Sequence, residues 1–203
     1  MSKNIECEIR AAVQVDEFDS LLDKLKTKGE YLNETNRLMV MFFRCSDEGD
    51  LDLRIRVTNG DYEVVIKKGD HHASNRTETE QKITANQFVG LTQVFRQFHW
   101  DSAKVGERLT HNLDFGNGIL VSLVRGGDIC YLEIEKMASE DTLKQTQAEL
   151  ETLARELRVE IIQTREEYYT LCQRFTDEID WNLEDRTEDY ERLAEQLKNT
   201  AAA

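Results

Sequence analysis

The chain has 203 residues, 39% hydrophobic and 33% charged, which is apolar enough for one core and unusually rich in charge for a compact globule. Its formal net charge of -14 argues against general affinity for nucleic acid or an anionic membrane surface. It has no apolar run of about 18 residues and no basic-then-apolar start, so neither a membrane span nor a secretory signal is expected and the protein is expected to be cytoplasmic.

Residues 4 to 14 (NIECEIRAAVQ) alternate in side-chain type and predict a strand. Asp16 opens a helix with Phe18, Leu21, Leu22 and Leu25 on one face and Gly29 at its end. The run Arg37 to Cys45 (RLMVMFFRC) is of β type. DLDLRIRV, Asn59-Gly60-Asp61 and YEVVIKK together predict a β-hairpin. A polar loop with His71 and His72 leads to the alternating segment RTETEQKI, and Thr84 caps a helix carrying Phe88, Leu91, Phe95 and Phe98. Residues 99 to 111 suit a strand, and GILVSLV, Gly126-Gly127 and DICYLEIEKM predict a second hairpin. A long helix starts at Ser139, a short VEII run follows, and another helix begins near Glu166. Residues 177 to 198 read as an acidic helix with Ile179, Leu183, Tyr190, Leu193 and Leu197 at helical spacing, packed on the sheet exterior or forming a homodimer contact. About eight strands, mostly neighbours in sequence, imply an α+β fold with an antiparallel β-barrel or strongly curved sheet.

The four cysteines, Cys7, Cys45, Cys130 and Cys172, are far apart and read as reduced, buried residues. No zinc spacing involves them or the histidines; His71 and His72 read as solvated, and His99 and His111 are given no role.

Residues two apart on a strand share a face. This groups Glu6, Glu8 and Arg10; Arg54 and Arg56; Arg76, Glu78 and Glu80; and Glu133 and Glu135, with Lys67 leaving the strand opposite the arginine pair. Each stripe alone fits a solvated sheet face. Together they are paired Glu or paired Arg, and like charges side by side are unfavourable unless something lies between them. The helices need apolar sheet faces, which leaves the charged faces turned inward in a barrel. Clustered carboxylates suit hard cations such as Mg²⁺ or Mn²⁺. Clustered Arg and Lys suit phosphate oxygens, so a metal-bound polyphosphate satisfies both sets.

The series ECEIR (Glu6 to Arg10), LRIR (Leu53 to Arg56), YEVVIKKG (Tyr62 to Gly69), RTETE (Arg76 to Glu80), Arg108 and YLEIE (Tyr131 to Glu135) resembles the CYTH, or triphosphate tunnel metalloenzyme, superfamily. The resemblance covers roughly residues 4 to 175, including the helix TREEYYTLC, and implies a tunnel domain over 1 to 175 followed by an acidic helical extension over 176 to 203. It implies an eight-stranded antiparallel β-barrel, the triphosphate tunnel, with helices packed outside. By the same resemblance Glu6, Glu8, Glu133 and Glu135 look like ligands of Mg²⁺ or Mn²⁺, with Glu78 and Glu80 on the metal side. Arg10, Arg54, Arg56, Lys67, Arg76 and Arg108 look like the residues that hold phosphate, and Glu8 or Glu80 would orient the attacking water. Arg10 stands where the family has lysine, Gly106-Glu107 precede Arg108 where a lysine is common, RLMVMFFRC replaces an Asp-x-Tyr-Phe segment, and Ser122 or Leu123 replaces a frequent Asp. The implied function is metal-dependent hydrolysis of the terminal phosphoanhydride of a triphosphate small molecule. A class IV adenylyl cyclase and a non-catalytic polyphosphate or nucleotide binder are the alternatives. Nucleic acid is expected only as a 5′-triphosphate RNA end.

Overall fold

A computed structural model describes residues 5–45, 50–68 and 77–202. Its elements in chain order are β1 (Ile5–Val13), α1 (Phe18–Lys26), β2 (Glu30–Arg44), β3 (Leu51–Thr58), β4 (Asp61–Lys68), β5 (Thr77–Lys82) and α2 (Phe88–Arg96). There follow β6 (Ser102–Asp114), β7 (Ile119–Gly126), β8 (Ile129–Ala138), α3 (Leu143–Leu157), α4 (Arg165–Arg174), β9 (Trp181–Asn182) and α5 (Thr187–Ala202). The fold is α+β with one antiparallel sheet in the order β1-β8-β7-β6-β2-β3-β4-β5, and β9 pairs with β6. Among the described residues no pairing joins β5 to β1, so the expected barrel is not closed by hydrogen bonds. The outer edge of β1 is taken instead by the segment after α3: Ala11 bridges Ile161, and Ile162 N donates to Arg10 O at 2.8 Å. Covering an edge in this way satisfies its backbone groups without closure.

The chain divides into two compact units, Met1–Thr35 with Leu109–Phe175, and Asn36–Arg108 with Thr176–Ala203. In the first, Cys7, Ala11 and Val13 of β1, Val121 and Leu123 of β7, and Cys130, Leu132 and Ile134 of β8 form one sheet face. Phe18, Leu21, Leu22 and Leu25 of α1 and Leu150, Ala154 and Leu157 of α3 pack against it. The α1 stripe is the one its sequence spacing predicts. In the second unit Leu38, Val40 and Phe42 of β2 and Leu53, Ile55 and Val57 of β3 form the apolar face, covered by Phe88 of α2 and Leu193 of α5. The Asn59-Gly60 turn has φ of 48° and 87° at its two residues, the left-handed pair that a two-residue hairpin requires, and it pins Thr58 opposite Asp61.

Two expectations change. Residues 177 to 198 are not one helix: a π turn over Phe175–Ile179 is followed by β9 and only then by α5. Pairing with β6 draws residues 181 and 182 into extended conformation, while Leu183 and Leu193 are buried and Tyr190 and Leu197 pack against the same core. The cysteines also differ from the expectation of uniform burial. Cys7 and Cys130 lie in the core, but Cys45 is exposed and Cys172 half-buried.

His111 is buried behind α1, with Tyr31 Oη 3.0 Å from its Nδ1, Glu34 at 3.6 Å and the Phe18 ring beside it. Burial lowers its pKa below the ordinary 6.5 and Lys26 adds to this, while Glu34 and Asp19 oppose it. The unfolded chain therefore takes up the proton first, and the stability His111 contributes is present above about pH 6.5 and lost as pH falls toward its folded value. Unfolding free energy measured at about pH 7.5 and about pH 5.5 is expected to differ less in His111→Phe than in wild type. Equal pH dependence in the two proteins would remove this role.

Candidate functional site

In the first unit, register carries the charged stripe from strand to strand. Glu8 lies directly opposite Glu135 and Arg10 opposite Glu133, and Ser122 of β7 is opposite Glu133 on the other side. Directly opposed residues share a face, so these five side chains lie on the face away from α1 and α3. Arg10 Nε donates to Glu133 Oε1 at 2.8 Å and Nη2 pairs with Glu8 Oε1, while the guanidinium carbon sits 4.2 Å from the centre of the Tyr168 ring of α4. A planar guanidinium can stack on a ring and fork onto two carboxylates at once, which an ammonium cannot. Burial opposes the charge on Arg10, but Glu133, Tyr168 and Glu8 outweigh it and hold the group cationic well above its ordinary range. The Tyr168 hydroxyl is pushed up by burial, with Arg10 opposing. Ser122 donates to Asn112 Oδ1 at 2.8 Å, and Leu123 belongs to the core face.

A capping box sets where α4 begins and hence where Tyr168 falls. Thr164 Oγ1 accepts from Glu167 N at 3.1 Å, and Glu167 Oε2 accepts from Thr164 N at 3.1 Å and Gln163 N at 2.8 Å. These backbone donors hold the Glu167 carboxyl below its usual range. Thr164→Ala is expected to cost about 1 kcal/mol in chemical unfolding. A change indistinguishable from zero would mean that packing alone positions α4.

In the second unit the polar face of β3 and β4 carries Asp52, Arg54 and Arg56 against Lys67, Val65 and Glu63. Arg54 Nε donates to Asp52 Oδ1 at 2.9 Å and Nη2 to Oδ2 at 2.7 Å, with Asp52 fully buried. Arg56 Nε donates to Glu63 Oε1 at 2.7 Å, and Lys82 Nζ stands 3.7 Å from the other oxygen. Burial would raise the Glu63 pKa, but the hydrogen bond and charge of Arg56 win and hold it below the ordinary range. Met39 and Met41 lie opposite Arg56 and Arg54 and are both buried, which encloses this face further. Glu80 is opposite Val65 and exposed. Arg108 forks onto Asp180, Nη1 to Oδ1 at 2.8 Å and Nη2 to Oδ2 at 2.9 Å.

Within the first unit, then, the sequence-selected Glu8, Arg10, Glu133 and Glu135 come together; within the second, Arg54, Arg56 and Lys67 share a face. Arg76 falls outside the described residues, as do the side chains of Glu6 and Glu78, whose strand positions are opposite Met137 and Lys67. The sequence reading missed Asp52, Glu63, Tyr168 and Asp180. Alternation in DLDLRIRV places Asp52 with Arg54, and the Asn59-Gly60 register places Glu63 opposite Arg56, so those two were legible. Nothing local marks Tyr168 or Asp180.

No family profile matches the chain, and no curated protein matches it. Solved structures do. A Vibrio parahaemolyticus protein assigned as a candidate adenylate cyclase is 16% identical, with a TM-score of 0.60 over 83% of this chain and 98% of that one. A candidate adenylyl cyclase from Hippeastrum, described as having a dominant triphosphatase activity, is 13% identical, with a TM-score of 0.56 over 84% of this chain and 95% of that one. The chain shares the fold of these two proteins. A Pyrococcus horikoshii protein has the same fold at 20% identity, with a TM-score of 0.58 over 83% of this chain and 99% of that one. At these identities the likeness is one of fold, and a fold by itself does not specify an activity.

No group of three or more His, Cys, Asp or Glu side chains suited to a metal occurs among the described residues. Mg²⁺ commonly takes only one or two protein carboxylates and completes its shell with water and substrate phosphate. The directly opposed Glu8 and Glu135, with Glu133 on the same face, fit that donor type.

Proposed function

We propose that the protein binds a metal-chelated triphosphate and hydrolyses its terminal phosphoanhydride. The observation that carries this reading is the way three arginines are held. Arg10, Arg54 and Arg56 are each gripped through Nε by a carboxylate, from Glu133, Asp52 and Glu63. Gripping a guanidinium along its Nε edge fixes its plane before any ligand arrives, and preorganised cations are what a polyanion site needs. Lys67 on the Arg54 and Arg56 face adds a point charge.

Glu8, Glu133 and Glu135, with Glu6, would hold Mg²⁺ or Mn²⁺, and Glu78 and Glu80 would serve the same side. A divalent ion there would supply charge neutralisation across the phosphates. The arginines and Lys67 hold the phosphate oxygens so that the terminal phosphorus faces an attacking water. Glu8 or Glu80 orients that water and accepts its proton. The bond between the terminal phosphorus and the bridging oxygen breaks, releasing orthophosphate and leaving a diphosphate. The triphosphatase activity described for the Hippeastrum protein of the same fold supports the reading.

The test is a screen of tripolyphosphate, nucleoside triphosphates, thiamine triphosphate and triphosphate-ended RNA with Mg²⁺ and with Mn²⁺, reading phosphate release and separating products by chromatography. Orthophosphate from at least one substrate is the expected result. Cyclic AMP with pyrophosphate would replace the reading with a cyclase, and tight binding without turnover would replace it with a binding protein.

A further inference from the structure

Arg108 is held differently from the other three arginines. In Arg10, Arg54 and Arg56 a carboxylate engages Nε, and in Arg10 and Arg54 a carboxylate also takes Nη2, so the grip is along the side of the guanidinium that carries Nε. In Arg108 both terminal nitrogens, Nη1 and Nη2, are taken end-on by the two oxygens of Asp180, and Nη1 also donates to Glu107 O at 2.8 Å. The terminal fork is the end a guanidinium offers to a phosphate, and a carboxylate matches that geometry equally well.

Asp180 is built into its position. Its side chain is 0% exposed and that of Arg108 11%. Gly106, two residues before Arg108 on the same strand face, makes the room: a Cβ there would lie 2.3 Å from Asp180 Oδ1 and 3.0 Å from Arg108 Nη1. The backbone on either side of Asp180 is tied to β6, through Lys104 Nζ donating to Thr176 O at 2.8 Å and Leu183 N donating to Ala103 O at 3.0 Å. The β9 register, Lys104 opposite Asn182 and Val105 opposite Trp181, completes the attachment. A buried carboxylate leaving its cation would be stranded without water, so a phosphate does not displace it readily.

We propose that Asp180 occupies, from within the chain, the place on Arg108 that a phosphate group would take, so that Arg108 is a structural ion pair and Asp180 limits how many phosphate groups the protein can hold. For its substrate consequence the inference rests on the triphosphate reading. The occupied site itself can be tested apart from that reading.

The first arm titrates the full chain with tripolyphosphate in a calorimeter at fixed Mg²⁺. The double variant Asp180→Asn/Arg108→Gln exchanges the ion pair for a neutral amide pair. It is expected to bind within about twofold of wild type, whereas Arg54→Gln loses about tenfold or more. A double variant as weak as Arg54→Gln makes Arg108 a substrate contact and overturns the proposal. The second arm titrates inorganic phosphate. Asp180→Asn is expected to gain a phosphate site that wild type and the double variant lack, and Gly106→Ala, which pushes the carboxylate aside, is expected to gain it too. Circular dichroism establishes that each variant is folded. If no folded single variant gains phosphate binding, the proposal is wrong. If wild type ignores tripolyphosphate but the single variants gain phosphate, the triphosphate reading fails and the internal occupancy of Arg108 stands.

Discussion

Glu8→Ala is expected to lower metal-dependent phosphate release from tripolyphosphate by roughly 10²–10³-fold, the loss typical of removing one charge-stabilising group from a catalytic site. Two effects combine. Glu8 directly opposes Glu135 across β1 and β8, so its loss leaves one carboxylate where two could grip a divalent ion. Glu8 is also one of two carboxylates on Arg10, whose guanidinium would then be held by Glu133 and the Tyr168 ring alone. The two effects separate by metal titration. A loss recovered at high Mg²⁺ marks weakened metal affinity, and a loss that persists at saturation marks a misplaced Arg10. Turnover equal to wild type at all metal concentrations would remove Glu8 from the site. Arg10→Lys is a useful companion, since it keeps the positive charge but forfeits the Nε bond to Glu133 and the flat face against Tyr168.

The largest stability effect is expected at Asp52. Its carboxylate is fully buried and bonded twice to Arg54. Breaking a buried pair by removing one partner costs about 3–5 kcal/mol, because the remaining charge loses its compensation without regaining full hydration. The Arg54 side chain is 22% exposed, so partial hydration puts Asp52→Ala at the lower end, about 3 kcal/mol in urea unfolding. Replacing both residues with a neutral pair of similar volume is expected to recover most of that loss, since the cost lies in the stranded charge. An Asp52→Ala change below about 1 kcal/mol would show that Arg54 finds another partner or water without strain.

These partners explain which parts of the site could be read without coordinates. Alternation in ECEIR and DLDLRIRV assigns each charged residue to a strand face, and the face opposite carries the core in both units, as the helix stripes require. The Asn59-Gly60 turn fixes its hairpin register, so Arg56 and Glu63 are partners by local chemistry. Residues 177 to 198 were misread for the opposite reason. Their apolar spacing suits a helix, but two of them are drawn into strand pairing with β6, a contact across some 75 positions that periodicity does not register. The same limit applies to closure: strand count and order suggest a barrel, whereas the β1 edge is covered by Ile161 and Ile162.

The sequence by itself determined that this is an α+β antiparallel protein with charged and apolar residues on opposite strand faces, and it singled out Glu8, Arg10, Arg54, Arg56, Glu133 and Glu135 as candidates for chemistry. Period-two alternation and turn chemistry are local, and they suffice for that. Only the tertiary structure decided which end of each arginine is engaged and by what: Glu133 on the Nε edge of Arg10 across 123 positions, the Tyr168 ring on its face, and Asp180 on the terminal fork of Arg108 across 72. Alternation says which face a side chain occupies, but its bonding partner depends on which distant segment packs there.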